Sequence, residues 1–289
     1  MGKILVIADL EGVGYATPRG LELARRLGYD TEVVAFTYAP LKELKLPASE
    51  TGRIKQKLLD DRQAVVQARI DKHVRPGQKV TLKIVWEKHI DRWVSRQCAG
   101  GKYVGVVKTG NRSENLVHTS TDWQLLRECP APVVLVSAKK WHQVKPVLVT
   151  LDLATGVATK KKLNSKVLGH AKALADALGV DLEIITAIEI PTLLSDLDLV
   201  DPVAYVKEAR AGMQGAIRKL AAEHDIPEGA FRTKRGPIEK VITSSAAKVR
   251  AQIVVMGTVG RTGVKARLLG NTAEKVLRHM KTDVLAIKP

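Results

Sequence analysis

Near the carboxyl end of the chain, one glycine-bearing segment has the residue types and spacing to bind an anionic ligand. A short apolar run is followed by four glycines, namely Gly257, Gly260, Gly263 and Gly270. Glycine lets the main chain approach a ligand closely, and the free N–H groups at the start of a helix bind phosphate well. Arg261 adds positive charge, and the polar residues Asn271 and Thr272 follow the last glycine. Phosphate binding is one interpretation of this segment, and a connector whose glycines only form turns is the other.

Regular elements are predicted on both sides of this segment. The apolar residues 253–256 and 284–287 each indicate a buried strand of a parallel sheet. Between them, apolar residues recur at helical spacing, with Asn271 or Thr272 as the N-cap. The segment therefore leaves the carboxyl end of a strand, which is where α/β sheets bind their ligands.

The rest of the chain alternates between short apolar runs and amphipathic stretches, which indicates strands alternating with helices. In the first half, a strand over residues 4–8 ends at Asp9. Thr17 and Pro18 are predicted as the N-cap and first residue of the helix that follows. The same order recurs in the second half, where the first strand ends at Asp152. We therefore expect an α/β protein with two doubly wound, five-stranded parallel sheets.

The two halves of the chain also resemble each other residue by residue. The matching segments are residues 4–9 with 147–152 and residues 120–136 with 271–287. Self-similarity of this length indicates a tandem duplication. A short basic stretch after residue 136 is the expected linker, which gives two predicted domains, residues 1–140 and 141–289.

The glycine segment is not preserved in both halves. Lys108 lies about where Gly257 lies in the second half, and Thr119 lies where Gly270 lies. Beyond Gly110 no glycine remains before the next helix of the first half. Because a main chain without these glycines cannot wrap a phosphate in the same way, the first half is expected to have lost phosphate binding by this route.

The glycine spacing resembles the nucleotide-binding signature of the universal stress protein family. Two residues separate Gly257 from Gly260, nine residues separate Gly260 from Gly270, and a small polar residue follows. The similarity extends through the helix NTAEKVLRH and the closing strand, and the whole chain resembles a tandem-domain member. One departure is Asn271, where the family more often has Ser or Thr. The resemblance implies two Rossmann-like domains of the adenine nucleotide alpha hydrolase type. It also implies that they pair through their last strands, residues 133–136 and 284–287, as an intramolecular pseudo-dimer.

The resemblance further implies an adenine-nucleotide site in the second domain, with ATP as the ligand and a role for Mg²⁺ left open. Carried over by position, the site residues are Asp152, Ala187, Met256, Gly257, Gly260, Arg261, Gly270, Asn271 and Thr272. Asp152 and its neighbours would contact adenosine, and the residues from Gly260 onward would contact phosphates. For Asp152 alone, a turn-forming or helix-capping carboxylate is the alternative.

The charge and composition leave two other functions open. The formal net charge is +17, spread over both halves, and this invites association with nucleic acid. An aromatic content of 4% provides few stacking platforms for single strands, so nucleic-acid binding is not favoured. The second alternative is a lipid, or another apolar or anionic ligand, in a pocket of the first domain.

The sequence indicates a ligand-binding stress-response regulator rather than a metabolic enzyme. No nucleophile elbow, phosphate-binding lysine loop or zinc-binding histidine pair is present, so at most slow ATP hydrolysis is expected. Cys98 and Cys129 are isolated from each other in sequence, as is typical of reduced thiols. With neither a membrane span nor a signal peptide predicted, we expect a cytoplasmic protein that functions alone or as a homodimer.

Overall fold

The computed structural model describes residues 2–12, 14–110, 121–139, 141, 144–191, 199–258 and 270–289, with only the backbone described at Asn271. The chain divides into two compact units, Met1–Lys140 and Trp141–Pro289. Each unit contains a five-stranded sheet, and the pairs of neighbouring strands within each unit described below run parallel.

In the first unit the strand order is β3-β2-β1-β4-β5. Its strands are β1 (Lys3–Ile7), β2 (Asp30–Thr37), β3 (Val80–Trp86), β4 (Tyr103–Thr109) and β5 (Val133–Val136). Its helices are α1 (Ala16–Leu27), α2 (Ala48–His73), α3 (Ile90–Ala99) and α4 (Thr121–Glu128), with a 3-10 turn at Leu41–Leu44. The order reverses at β1, as it does in doubly wound sheets.

The second unit repeats this order as β10-β9-β6-β7-β8. Its strands are β6 (Val147–Thr150), β7 (Leu182–Ile188), β8 (Phe231–Arg235), β9 (Ile253–Gly257) and β10 (Asp283–Ile287). Its described helices are α5 (Ala158–Leu178), α6 (Pro202–His224), α7 (Ile238–Lys248) and α8 (Asn271–His279), with a 3-10 turn at Glu228–Ala230.

The core of each unit is formed by the central strands, which helices cover on both faces. Leu5 and Val106 in the first unit, and Val149 and Val255 in the second, are fully buried. Continuous apolar strands of this kind are typical of parallel sheets. The predicted α/β class with parallel, doubly wound sheets is therefore confirmed, whereas pairing of the units through their last strands stays a prediction.

Two predicted helix starts are wrong by one or two residues. α1 begins at Ala16, so Thr17 lies inside the helix, because the carboxylate of Asp9 accepts the N–H of Ala16 at 3.1 Å. α8 begins at Asn271 with Gly270 as its N-cap, since the carbonyl of Gly270 already accepts the N–H of Glu274 at 3.0 Å. Across the described ranges, no helix is both long enough and apolar enough to cross a membrane.

Candidate functional site

A cavity of about 770 Å³ opens in the second unit where β6, β7 and β9 end. The strands contribute Thr150 and Ala187 and also Met256 and Gly257, and Leu151 and Asp152 follow β6 directly. From the helices the lining residues include Lys160, Leu163 and Asn164 of α5, Ile238 and Ile242 of α7, and Thr272 and Ala273 of α8. A cavity at the carboxyl ends of the strands beside the reversal of strand order is the usual ligand position in this architecture.

Six of the nine predicted site residues line this cavity: Asp152, Ala187, Met256, Gly257, Gly270 and Thr272. Asn271 supplies the first residue of α8, and its side chain lies outside the described part of the chain. Gly260 and Arg261 also lie outside the described residues. The structure thus brings together residues that are separated by more than a hundred positions in the sequence.

Asp152 is held at the cavity by two neighbours on α5 that sequence reasoning missed. Its carboxylate is half exposed and lies 3.2 Å from the ammonium of Lys160. The side chain of Asn164 donates to the Asp152 carbonyl at 2.7 Å and accepts the Asp152 N–H at 3.1 Å. Asn164 is only 8% exposed, although asparagine is unfavourable inside a helix, and its partner on the preceding loop becomes evident only in the folded structure.

Gly257 ends β9 where α5 packs closely against the strand. A Cβ at this position would lie 2.8 Å from Cδ2 and 3.1 Å from Cγ of Leu163. Ordinary carbon contacts are about 3.5–4.0 Å, so any larger residue forces Leu163 to move. The packing of α5 therefore favours glycine here, independently of any ligand.

The N-terminus of α8 faces the same cavity. Gly270, the N-cap, has an extended backbone with φ −63° and ψ 139°, and Thr272 and Ala273 of the first turn line the cavity. Among the described side chains, none caps this helix start by a hydrogen bond. The first N–H groups of a helix are suited to bind an anion when they face a cavity.

The strand register corrects the predicted equivalence between the two units. Val106 pairs with Val133 in the first unit, as Val254 pairs with Val284 in the second. Counting from these pairs, Lys108 corresponds to Met256 and Thr109 to Gly257, so the prediction that Lys108 lies at the position of Gly257 is wrong by one residue. The hydrogen bonds that end the strands agree, because Gly110 N–H donates to Val136 and Thr258 N–H donates to Ile287. Thr119 lies outside the described residues.

In the first unit, side chains of the chain itself occupy the corresponding place. Lys108 forms an ion pair with Asp122 at 2.6 Å, and both side chains are largely buried. Asp9, the counterpart of Asp152, directs its carboxylate at the start of α1 rather than at a cavity. These charged, paired groups provide no apolar lining at this place.

The loop after β1 is also held by two arginines of α2. Arg62 donates to the carbonyls of Asp9 at 2.8 Å and Ala8 at 3.1 Å, and Arg69 donates to the carbonyl of Gly12 at 3.0 Å. Burial lowers the pKa of Arg62, and repulsion from Arg69 lowers it further. The loop that corresponds to the cavity edge of the second unit is therefore fixed by internal contacts.

Two parallel, doubly wound units, one of which has an open cavity at the carboxyl ends of its strands, define a tandem Rossmann-like protein. A family model described as the universal stress protein family matches residues 145–288. Universal stress protein E of Salmonella typhi is 30% identical over 282 residues, which cover 95% of this chain and 90% of that protein. The chain therefore belongs to the universal stress protein family.

Solved structures show the same fold over the whole chain. A universal stress protein from Archaeoglobus fulgidus DSM 4304 superimposes with a TM-score of 0.67 at 16% identity, covering 99% of this chain and 96% of that one. A protein of unknown function from Pseudomonas aeruginosa PAO1 gives a TM-score of 0.71 at 24% identity, covering 99% and 92%. At these identities the similarity concerns the fold alone.

Proposed function

We propose that this universal stress protein binds ATP, or another adenine nucleotide, in the cavity of its second unit and acts as a ligand-dependent regulator. The observation that carries the proposal is the convergence of six predicted site residues on one cavity of about 770 Å³. Such a volume lies within the range of about 300–1,000 Å³ that is usual for small-molecule sites.

The chemistry of the lining suggests how a nucleotide would lie. Ile238, Ile242 and Ala187 provide apolar surface for the adenine ring. The carboxylate of Asp152 can accept hydrogen bonds from the ribose hydroxyls, as acidic residues do in dinucleotide-binding Rossmann folds. The phosphates would then lie at the start of α8, beside Gly270, where helix N–H groups favour negative charge.

The lining supports binding rather than catalysis. Among the described residues that line the cavity, Asp152 and Lys160 are the ionisable ones, and they pair with each other. The described part of the chain contains no group of three or more His, Cys, Asp or Glu that could hold a metal. Any Mg²⁺ would therefore take its ligands chiefly from phosphates and water, as it commonly does at nucleotide sites.

Calorimetric titration with ATP, with and without Mg²⁺, tests the proposal together with native mass spectrometry. We expect one nucleotide per chain, and Asp152→Ala should weaken binding about tenfold or more, because hydrogen bonds to charged groups contribute about 1.5–3 kcal/mol. The matched control is Asp9→Ala in the first unit, which should leave the affinity unchanged. Absence of both binding heat and bound nucleotide in the parent protein would refute the proposal.

A further inference from the structure

We propose that Asn164 is a positioning residue of the nucleotide site, which clamps the main chain of Asp152 and so directs its carboxylate at the ribose hydroxyls. The inference rests on the proposed function and adds a residue that lies outside the glycine segment. Asn164 would contact the protein rather than the reacting or binding atoms of the ligand, and its effect would pass through Asp152.

Both ends of the Asn164 amide are used by the same residue. The amide nitrogen donates to the Asp152 carbonyl at 2.7 Å, and the amide oxygen accepts the Asp152 N–H at 3.1 Å. Only one orientation of the amide makes both bonds, since its nitrogen cannot accept and its oxygen cannot donate. The two bonds fix the backbone at Asp152 on both sides of its Cα and leave the carboxylate uninvolved.

The position of Asn164 is not explained by helix formation. It lies in the interior of α5, on the buried face, where asparagine has lower helix propensity than alanine or leucine. A buried amide is tolerated when its hydrogen bonds are made, and here a single loop residue makes them. The side chain therefore serves the loop after β6 rather than the helix that carries it.

In the first unit the main chain of the corresponding aspartate is held differently, because Arg62 of α2 donates to the Asp9 carbonyl at 2.8 Å. α1 has 12 residues and α5 has 21, and both end at a glycine C-cap with positive φ, Gly28 and Gly179. The additional residues of α5 lie at its N-terminal end and include Lys160 and Asn164. In the first unit the carboxylate of Asp9 accepts the N–H of Ala16 at the start of the shorter helix.

Asp152 thus differs from Asp9 in how its carboxylate is used. Asn164 satisfies the backbone of Asp152, and the carboxylate extends to the cavity with Lys160 as its ionic partner. Both members of that ion pair are substantially exposed, at 40% and 53% of their side chains. Exposed ion pairs contribute little, so Lys160 alone cannot be expected to hold the carboxylate in one direction.

The test compares ATP with 2′-deoxy-ATP and 3′-deoxy-ATP by calorimetry on the full chain. In the parent protein, loss of the ribose hydroxyl that donates a hydrogen bond to Asp152 should weaken binding about tenfold or more. In Asn164→Ala, this ratio should fall toward one while ATP itself still binds, because the phosphate contacts remain. Adding Asp152→Ala to Asn164→Ala should change the ratio no further, as expected for two residues that act as a unit.

Leu174→Ala is the matched structural control, since Leu174 is a buried residue of α5 distant in sequence from the clamp. It should lower the unfolding temperature without changing the ratio between ATP and its deoxy analogues. Asn164→Asp, which has the same shape and keeps an oxygen to accept the Asp152 N–H but loses the donor to the Asp152 carbonyl, should give an intermediate ratio and serves if Asn164→Ala does not fold.

Different results would overturn different parts of the argument. If ATP binds but the ratio in Asn164→Ala equals that of the parent, the positioning role is wrong and the proposed function stands. If the parent binds ATP without distinguishing either deoxy analogue, Asp152 does not contact the ribose and the inference also fails. If the parent binds no nucleotide, the proposed function fails, and the inference fails with it.

Discussion

Substitution of Gly257 by alanine should destabilise the protein even in the absence of any ligand. The new Cβ would lie 2.8 Å from Cδ2 of Leu163, which is about 1 Å inside an ordinary carbon contact. Leu163 is buried, and Val167 lies 3.5 Å from the same Cβ position, so the new methyl group enters a closely packed place. Overpacking of this kind costs about 1–3 kcal/mol.

Chemical denaturation monitored by circular dichroism measures this cost directly. We expect a lower denaturation midpoint with an unchanged slope and, in thermal unfolding, a decrease of about 2–12 °C for a unit of this size. Because Leu163 precedes Asn164 on α5, its movement should also weaken nucleotide binding. Gly257→Ala combined with Leu163→Ala should be less destabilised than the sum of the single variants by about 0.5–3 kcal/mol.

Two control substitutions separate the steric effect from the general effect of replacing glycine. Gly212 and Gly215 lie on the exposed face of α6, and a Cβ at either position meets nothing within 4 Å. Alanine at these positions should stabilise the protein by about 0.5–1 kcal/mol, because glycine is the poorer helix former. If Gly257→Ala unfolds at the parent midpoint, or shows no coupling to Leu163, the packing explanation of this glycine is refuted.

Two further predictions concern buried charges of the first unit. Lys108→Met should lower the free energy of unfolding by about 3–5 kcal/mol, because it removes one member of a largely buried ion pair with Asp122, and Lys108→Met with Asp122→Leu should recover much of the loss in denaturation experiments. Glu32 lies in β2, where burial opposes its ionisation, but hydrogen bonds from Lys102 and Tyr103 outweigh burial and lower its pKa below the ordinary 4.5. A lowered carboxyl pKa stabilises the folded state above pH 4.5, and this contribution is lost as the pH falls through the folded-state pKa. Glu32→Gln should therefore reduce the free energy of unfolding at neutral pH. It should also make that free energy depend less on pH below pH 4.5. If the free energy of unfolding of Glu32→Gln changes with pH as steeply as that of the parent protein, Glu32 does not have the lowered pKa.

The sequence predicted those features that depend on local patterns. Continuous apolar runs such as the one in β9 identified the central strands, and the alternation of strands and helices was sufficient to predict the doubly wound sheets. The predicted helix starts were less accurate, because the acceptor of the first N–H of α1 is Asp9, on the preceding loop. No propensity within α1 identifies that partner.

Features that depend on the packing of distant segments could not be predicted. The correspondence of Lys108 with Met256 follows from hydrogen bonds between strands, whereas counting residues through loops of unequal length misplaced it by one position. Asn164 and Arg62 escaped notice for the same reason. Asn164 donates a hydrogen bond to a carbonyl 12 residues away, and Arg62 donates one to a carbonyl 53 residues away. Such contacts form only when the helices pack over the sheet.

The two units differ in the side chains that lie at the carboxyl ends of their strands. In the second unit Met256 and Ala273 line the open cavity, and the sequence repeat places Lys108 and Asp122 at these positions in the first. An ion pair therefore stands where two apolar residues leave space. Replacing that pair with methionine and alanine would not by itself open a comparable site. Arg62 would still hold the loop after β1, and the carboxylate of Asp9 would still bond to the start of α1. Among the residues that the structure describes, separate contacts from three elements, α1, α2 and α4, hold the carboxyl ends of the strands in the first unit, so replacing one side chain leaves the other contacts in place.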